Sequence, residues 1–191
     1  RLMRSSALTA FDTGQEPESV QRAYGDSPFG KGCMLARRLV EHGVRYVEVM
    51  SGGWDTHGNN FNRLKPLTPA LDQGLSARLA DLEARGLLDQ TLVVLASEFG
   101  RTPDIDEDQG RNHYPKAFSA LLAGGGVRGG QRYGKTDKQG REVDSDPTSI
   151  QDLNATIAYA CGIPTDHVLT SPSGRPFKVA DKGTPITEIF G

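Results

Sequence analysis

No uninterrupted apolar run in this 191-residue chain is longer than five residues, and LVVLA at 92–96 is one of that length. A membrane-spanning helix needs about 18, so helices of that kind are excluded. Extended to TLVVLAS, 91–97, the same run has strand length and no polar alternation, the pattern of a strand covered on both faces in a parallel sheet. VRYVEVMS, 44–51, rich in β-branched and aromatic residues, reads as a second strand, and FSALLAG, 118–124, as a third.

Helical stripes separate these runs. Met34, Leu35, Leu39 and Val40 share a face over Lys31–Glu41, which His42-Gly43 ends. Thr68-Pro69 predicts an N-cap and first helical position, followed by Leu71, Leu75, Leu79 and Leu82 and a stop at Gly86. Thr148 and Gln151 predict a capping box for a helix carrying Ile150, Leu153, Ile157 and Cys161 up to Gly162. Strands alternating with helices imply an α/β fold, a mostly parallel sheet between helical layers. The polar, turn-rich residues 1–30 read as an extended arm with a short helix near Glu18–Ala23, and 31–191 as the α/β core of one unit.

Composition narrows the partners. With 22 Lys+Arg against 24 Asp+Glu the formal net charge is -2, so no global positive field draws nucleic acid. Apolar residues are roughly 46% with glycine counted and tyrosine left out, within the globular range. Glycine is in excess, 23 residues or roughly 12% against an average near 7%, which requires abundant or unusually shaped loops. Cys33 and Cys161 have no C-x-x-C partner and read as buried free thiols. The opening RLMRSSALTAFD has no signal-peptide apolar core.

The chemistry concentrates after the strands. SGGWDTHGNNF leaves VRYVEVMS with Asp55 and His57, and SEFGRTP leaves TLVVLAS with Glu98 and Arg101. Ligand sites in open α/β sheets gather outside the carboxyl ends of parallel strands, so both loops are expected on one crevice. GRNHYP brings His113 to the start of the third strand. Two imidazoles and two carboxylates suit zinc, manganese or iron and are too nitrogen-rich for a calcium cage. Each residue also has a structural alternative: Asp55 as a turn cap, His57 on a loop surface, Glu98 paired with Arg101, His113 as a satisfied polar group. The D-x-H order reverses the H-x-D common in 2-His-1-carboxylate iron oxygenases.

Other signals are weaker. DIDED, 104–108, imitates a calcium loop, but its glycine falls at 110 and Pro115 stands where the bidentate Glu belongs, so it reads as a solvated acidic loop. AGGGVRGGQRYGKTD, 123–137, fits an anion-binding nest or equally a glycine-turned hairpin. His42 reads as a helix-dipole partner and His167 as a loop residue. SPSGRP lacks the sulfatase nucleophile spacing, and no Gly-x-Ser-x-Gly elbow occurs.

Taken in order, PFGKGCMLARRLVEHGVRYVEV, GGWDTHGNN, ASEFGRTP, GRNHYP and AGGGVRGGQRYGKTD resemble the carboxyl-terminal half of the fifteen-oh-one domain-of-unknown-function family, a sulfatase-like branch of the alkaline phosphatase superfamily. The resemblance runs from about Phe11 to Phe177. It implies a three-layer α/β/α sandwich of alkaline-phosphatase or sulfatase type, with divalent metal at the strand ends and hydrolysis of small-molecule or polysaccharide sulfate or phosphate esters. By motif, Asp55, His57 and His113 resemble the ligands of one metal. Glu98 stands at the second-metal position, where Phe99 replaces a ligating histidine. Asn112 replaces an aspartate common before the later histidine, so support for His113 is expected to be weaker. Arg101 resembles an oxyanion clamp. Family members are about twice as long and carry the nucleophile in the other half, which implies a fragment with weak metal affinity and no turnover, from an exported or periplasmic protein. A non-catalytic binding or cell-surface protein of the same fold is the alternative.

Overall fold

The computed structural model describes residues 6–191; the first five residues of the expected arm lie outside it. From Ser6 the arm is folded structure. Ser6–Phe11 and Thr13–Gln15 form 3-10 turns and Glu18–Tyr24 forms α1, with Ala10 and Tyr24 fully buried. The reason is a buried cation: the Arg38 guanidinium takes the Thr9 and Ala10 carbonyls and pairs with Glu16, which ties the segment down.

Helix α2 (Pro28–Glu41) starts where Ser27 caps it, its Oγ accepting from the Gly30 N–H at 3.0 Å, with Pro28 in the first turn. It ends at His42, before Gly43 at φ 82°. Helix α3 (Asn60–Ala84) crosses it closely at glycine. A Cβ on Gly74 would lie 2.8 Å from Phe29 Cδ1 and 3.1 Å from Gly30 Cα, so α3 has no room for a side chain where it meets α2. Tyr24, Cys33 and Met34 form the core there, packed by Val20, Phe29, Val49 and Ala77. Cys161, expected buried like Cys33, is exposed at the C-cap of a later helix.

Beside this core sits an ion network. Arg37, 0% exposed, has Nη2 at 2.8 Å from Glu16, Nη1 at 2.7 Å from Glu41 and Nε at 2.7 Å from Asp81. The Nε and Nη2 contacts are ion pairs without well-aligned hydrogen bonds. Arg85 joins Asp81, Glu41 and Glu16 from the far end of α3. Burial alone would raise the Glu16 carboxyl, but Arg37 and Arg38 outweigh it and hold it below the usual range. Asp81 is lowered in the same way: burial opposes, and Arg85 and Arg37 prevail.

These elements and residues 104–112 form one compact unit; Leu88–Pro103 and His113–Gly191 form a second. In the second, β1 (Val93–Leu95) pairs with β4 (Leu121–Ala123), β2 (Gly100–Arg101) with β3 (His113–Tyr114), β5 (Lys135–Thr136) with β6 (Val143–Ser145), and β7 (Val168–Thr170) with β8 (Pro176–Lys178). Helix α4 (Ile150–Ala160) packs Ala155, Thr156 and Ala158 inward, ending at Cys161 before Gly162 at φ 68°.

The expected three-layer α/β/α sandwich with a mostly parallel sheet is thus overturned. Among the described residues all four sheets are two-stranded and antiparallel, with strands of at most three residues. TLVVLAS does form a strand, but its partner comes from FSALLAG and runs antiparallel. VRYVEVMS carries no ladder: Val49 packs against the helical core, and Tyr46 and Met50 are exposed at 79% and 85%. Short antiparallel pairs can close tight loops, as β5–β6 and β7–β8 do, whereas a parallel pair needs a crossover of a dozen or more residues.

Candidate metal centre

Asp55 and His57 sit on the loop that leads into α3, and the first unit holds that loop against residues 106–111 through backbone hydrogen bonds. The Asn59 and Asn60 N–H groups donate to the Asp108 and Gln109 carbonyls at 3.0 and 2.8 Å, and Arg111 N–H donates to the Thr56 carbonyl at 3.0 Å. Buried Thr56 donates its hydroxyl to Asn60 Oδ1 at 2.5 Å, bracing the turn from inside. Gly110 makes the approach possible, since a Cβ there would lie 1.9 Å from the His57 carbonyl oxygen.

The result places an acceptor at each nitrogen of His57. Nε2 is 2.9 Å from Asp55 Oδ1, and Nδ1 is 3.1 Å from Asn112 Oδ1. The Asn112 amide is oriented by its other end, where Nδ2 donates to Asp106 Oδ2 at 3.1 Å; turning it over would set oxygen against carboxylate. A neutral imidazole has one N–H for these two acceptors. A second proton or a cation between Nε2 and Asp55 resolves the mismatch.

The donor set fits a divalent metal. Bonds of ~2.0–2.2 Å to two atoms 2.9 Å apart subtend about 90°, an octahedral edge. Both residues are exposed, so an ion has access. His113 is the next residue after Asn112, one trans peptide or about 3.8 Å along the Cα trace from the partner of His57. It opens β3 in the second unit, opposite Arg101, with its ring 4.4 Å from that of Phe99.

Glu98 and Arg101 also belong to the second unit, where they pair with each other at 3.9 Å. The Arg101 guanidinium lies 5.7 Å from the Phe99 ring centroid. Phe99, at the position where the family resemblance implies a second-metal histidine, thus packs against a histidine and an arginine.

Three residues that the sequence marks for other roles turn out to build this arrangement. Asn112 supports His57, Asp106 orients Asn112, and Gly110 gives the space. The glycine four residues after Asp106 was the available signal, because Asp106 Oδ1 accepts the Gly110 N–H at 2.8 Å and the Asp108 N–H at 3.1 Å in an Asx-type turn.

A family model described as a protein of unknown function, DUF1501, matches residues 1–190. No curated protein and no solved structure matches the chain.

Proposed function

The chain belongs to the DUF1501 family, and from that premise we propose that it supplies the metal-ligating part of a hydrolase of sulfate or phosphate esters. Asp55, His57 and His113 are the proposed ligands for zinc, manganese or iron, and no residue of the chain is assigned the nucleophile's role. The reading is carried by His57, a single imidazole between two acceptors, with Nε2 facing a carboxylate at 2.9 Å. When bound, such an ion supplies Lewis-acid polarisation of an ester oxygen. Asn112 fixes the His57 ring, and Arg101 offers forked donors to an ester oxyanion. The family resemblance, rather than the geometry, supports the ester class and export from the cytoplasm.

A second reading, a binding protein without turnover, is favoured by Glu98 and Phe99. Glu98 engages Arg101, and Phe99 fills a position where an ester hydrolase of this kind needs a ligand.

Elemental analysis and metal titration of the purified full-length protein test the first reading. One equivalent of zinc, manganese or iron is expected, lost in both His57→Ala and His113→Ala. No stoichiometric metal in the wild type overturns it, and retention in both variants overturns the ligand assignment. Turnover of aryl sulfate or aryl phosphate esters by the metal-loaded full-length protein, with the nucleophile-bearing half present, supports the hydrolase; metal without turnover in that protein supports the binding protein.

A further inference from the structure

The acidic loop DIDED, which reads from sequence as a solvated surface, makes a side-chain contact that orients Asn112 toward His57. Asp106 is held by two backbone N–H groups of its own loop, from Asp108 and Gly110, both to Oδ1. Its other oxygen accepts from Asn112 Nδ2 at 3.1 Å, which leaves Asn112 Oδ1 turned toward His57 Nδ1 at 3.1 Å. An amide oxygen accepts and cannot donate, so with a cation between Nε2 and Asp55 the ring nitrogen facing the amide carries the proton. The neutral ring then presents the lone pair of Nε2 on the side of Asp55.

We propose that Asp106 is a positioning residue that sets the tautomer of His57 through Asn112, making Nε2 the ligating nitrogen. The proposal rests on the metal-site reading for its consequence and on hydrogen-bond polarity for its mechanism. The polarity gives a reversible prediction. In Asp106→Asn, residue 106 keeps its oxygen on the loop N–H groups and turns an NH2 toward Asn112. Asn112 then presents its oxygen to residue 106 and its NH2 to His57, so Nδ1 becomes the acceptor and the proton moves to Nε2. Adding Asn112→Asp restores an acceptor opposite Nδ1, and with it the original tautomer.

The tautomer is read by two-bond proton–nitrogen NMR at alkaline pH, on the neutral ring, in the full chain carrying Asp55→Ala. That background removes the carboxylate competing for the ring proton and, with it, a metal ligand. The expected proton position is Nδ1 in the background, Nε2 with Asp106→Asn, and Nδ1 again with Asp106→Asn/Asn112→Asp. A proton position unmoved by Asp106→Asn overturns the relay.

With Asp55 intact, Asp106→Asn is expected to weaken zinc binding about 10–100-fold and the double variant to recover it. Unchanged zinc affinity in Asp106→Asn, with the tautomer inverted, overturns the positioning role. A wild type that binds no zinc, manganese or iron defeats the metal reading instead, while the Asp55→Ala spectra still decide the relay.

Discussion

At the residue scale, Gly110 does what no other residue type can do at its position. The ideal Cβ there falls 1.9 Å from the His57 carbonyl oxygen and 2.7 Å from the Gly58 nitrogen, both backbone atoms that cannot swing aside. Gly110→Ala must therefore part the two loops and carry Asn112 away from His57. The expected cost is about 1–3 kcal/mol of stability, together with weakened metal binding. Gly129→Ala, where an added Cβ meets nothing within 4 Å, is the control. Thermal unfolding and zinc titration of both variants check this, and a Gly110→Ala protein with wild-type values in both would refute the packing account. Asp55 and His57 were legible in the sequence because their spacing places them on one loop. The role of Asn112 was not: it lies 55 residues from His57, and the sequence ties it to its own neighbour His113 as a weaker substitute for an aspartate. Reach between two loops depends on how their backbones are tied together, and residue spacing does not encode that.

At the element scale, helices were more legible than strands. The ends of α2, α3 and α4 were marked by Gly43, Gly86 and Gly162, all at positive φ. The starts were less clear. Helix α3 begins at Asn60, nine residues before the expected first position Pro69, and carries Pro66 and Pro69 inside it. Thr68 caps nothing; its hydroxyl donates to the Leu64 carbonyl at 3.0 Å. Strand register failed because TLVVLAS and VRYVEVMS have strand composition, and composition does not name a partner. The start of α4 offers a direct contrast. Ser149 and Asp152 form the capping box, with Ser149 Oγ accepting from Asp152 N–H at 3.0 Å and Asp152 Oδ2 accepting from Ser149 N–H at 2.9 Å. The expected pair, Thr148 and Gln151, stands one residue earlier. Ser149→Ala is expected to cost about 1 kcal/mol, lowering the thermal midpoint, and Thr148→Ala to leave it nearly unchanged. The reverse order in a melting experiment would restore the sequence-based box.

At the scale of the whole molecule, the two units hold their carboxylates differently, and acid distinguishes them. In the second unit the lowered carboxyls belong to Asp137 and Asp152, held by hydrogen bonds near the surface: Asp137 chiefly by the Arg141 N–H, and Asp152 chiefly by Ser149. In the first unit Glu16 and Asp81 are lowered although burial opposes it, because Arg37, Arg38 and Arg85 surround them. A carboxyl with a depressed folded-state pKa binds fewer protons folded than unfolded, so stability rises with pH across that interval. The contribution is complete above the ordinary values of 4.5 for Glu and 3.8 for Asp and is lost as pH falls through the lower, folded values. Protonation removes the negative partners of a fully buried Arg37, and breaking a buried pair in this way costs on the order of 3 kcal/mol. Helices α1, α2 and α3, which share Glu16's network, are therefore expected to melt at progressively lower temperature as pH falls below the ordinary Glu value of 4.5. Glu16→Gln should lower the midpoint at pH 7 and flatten its decline below pH 4.5, since one of the titrating groups is gone. Circular dichroism melts at 222 nm across this range make the comparison, and an equal acid slope in wild type and Glu16→Gln would remove Glu16 from the account of acid sensitivity.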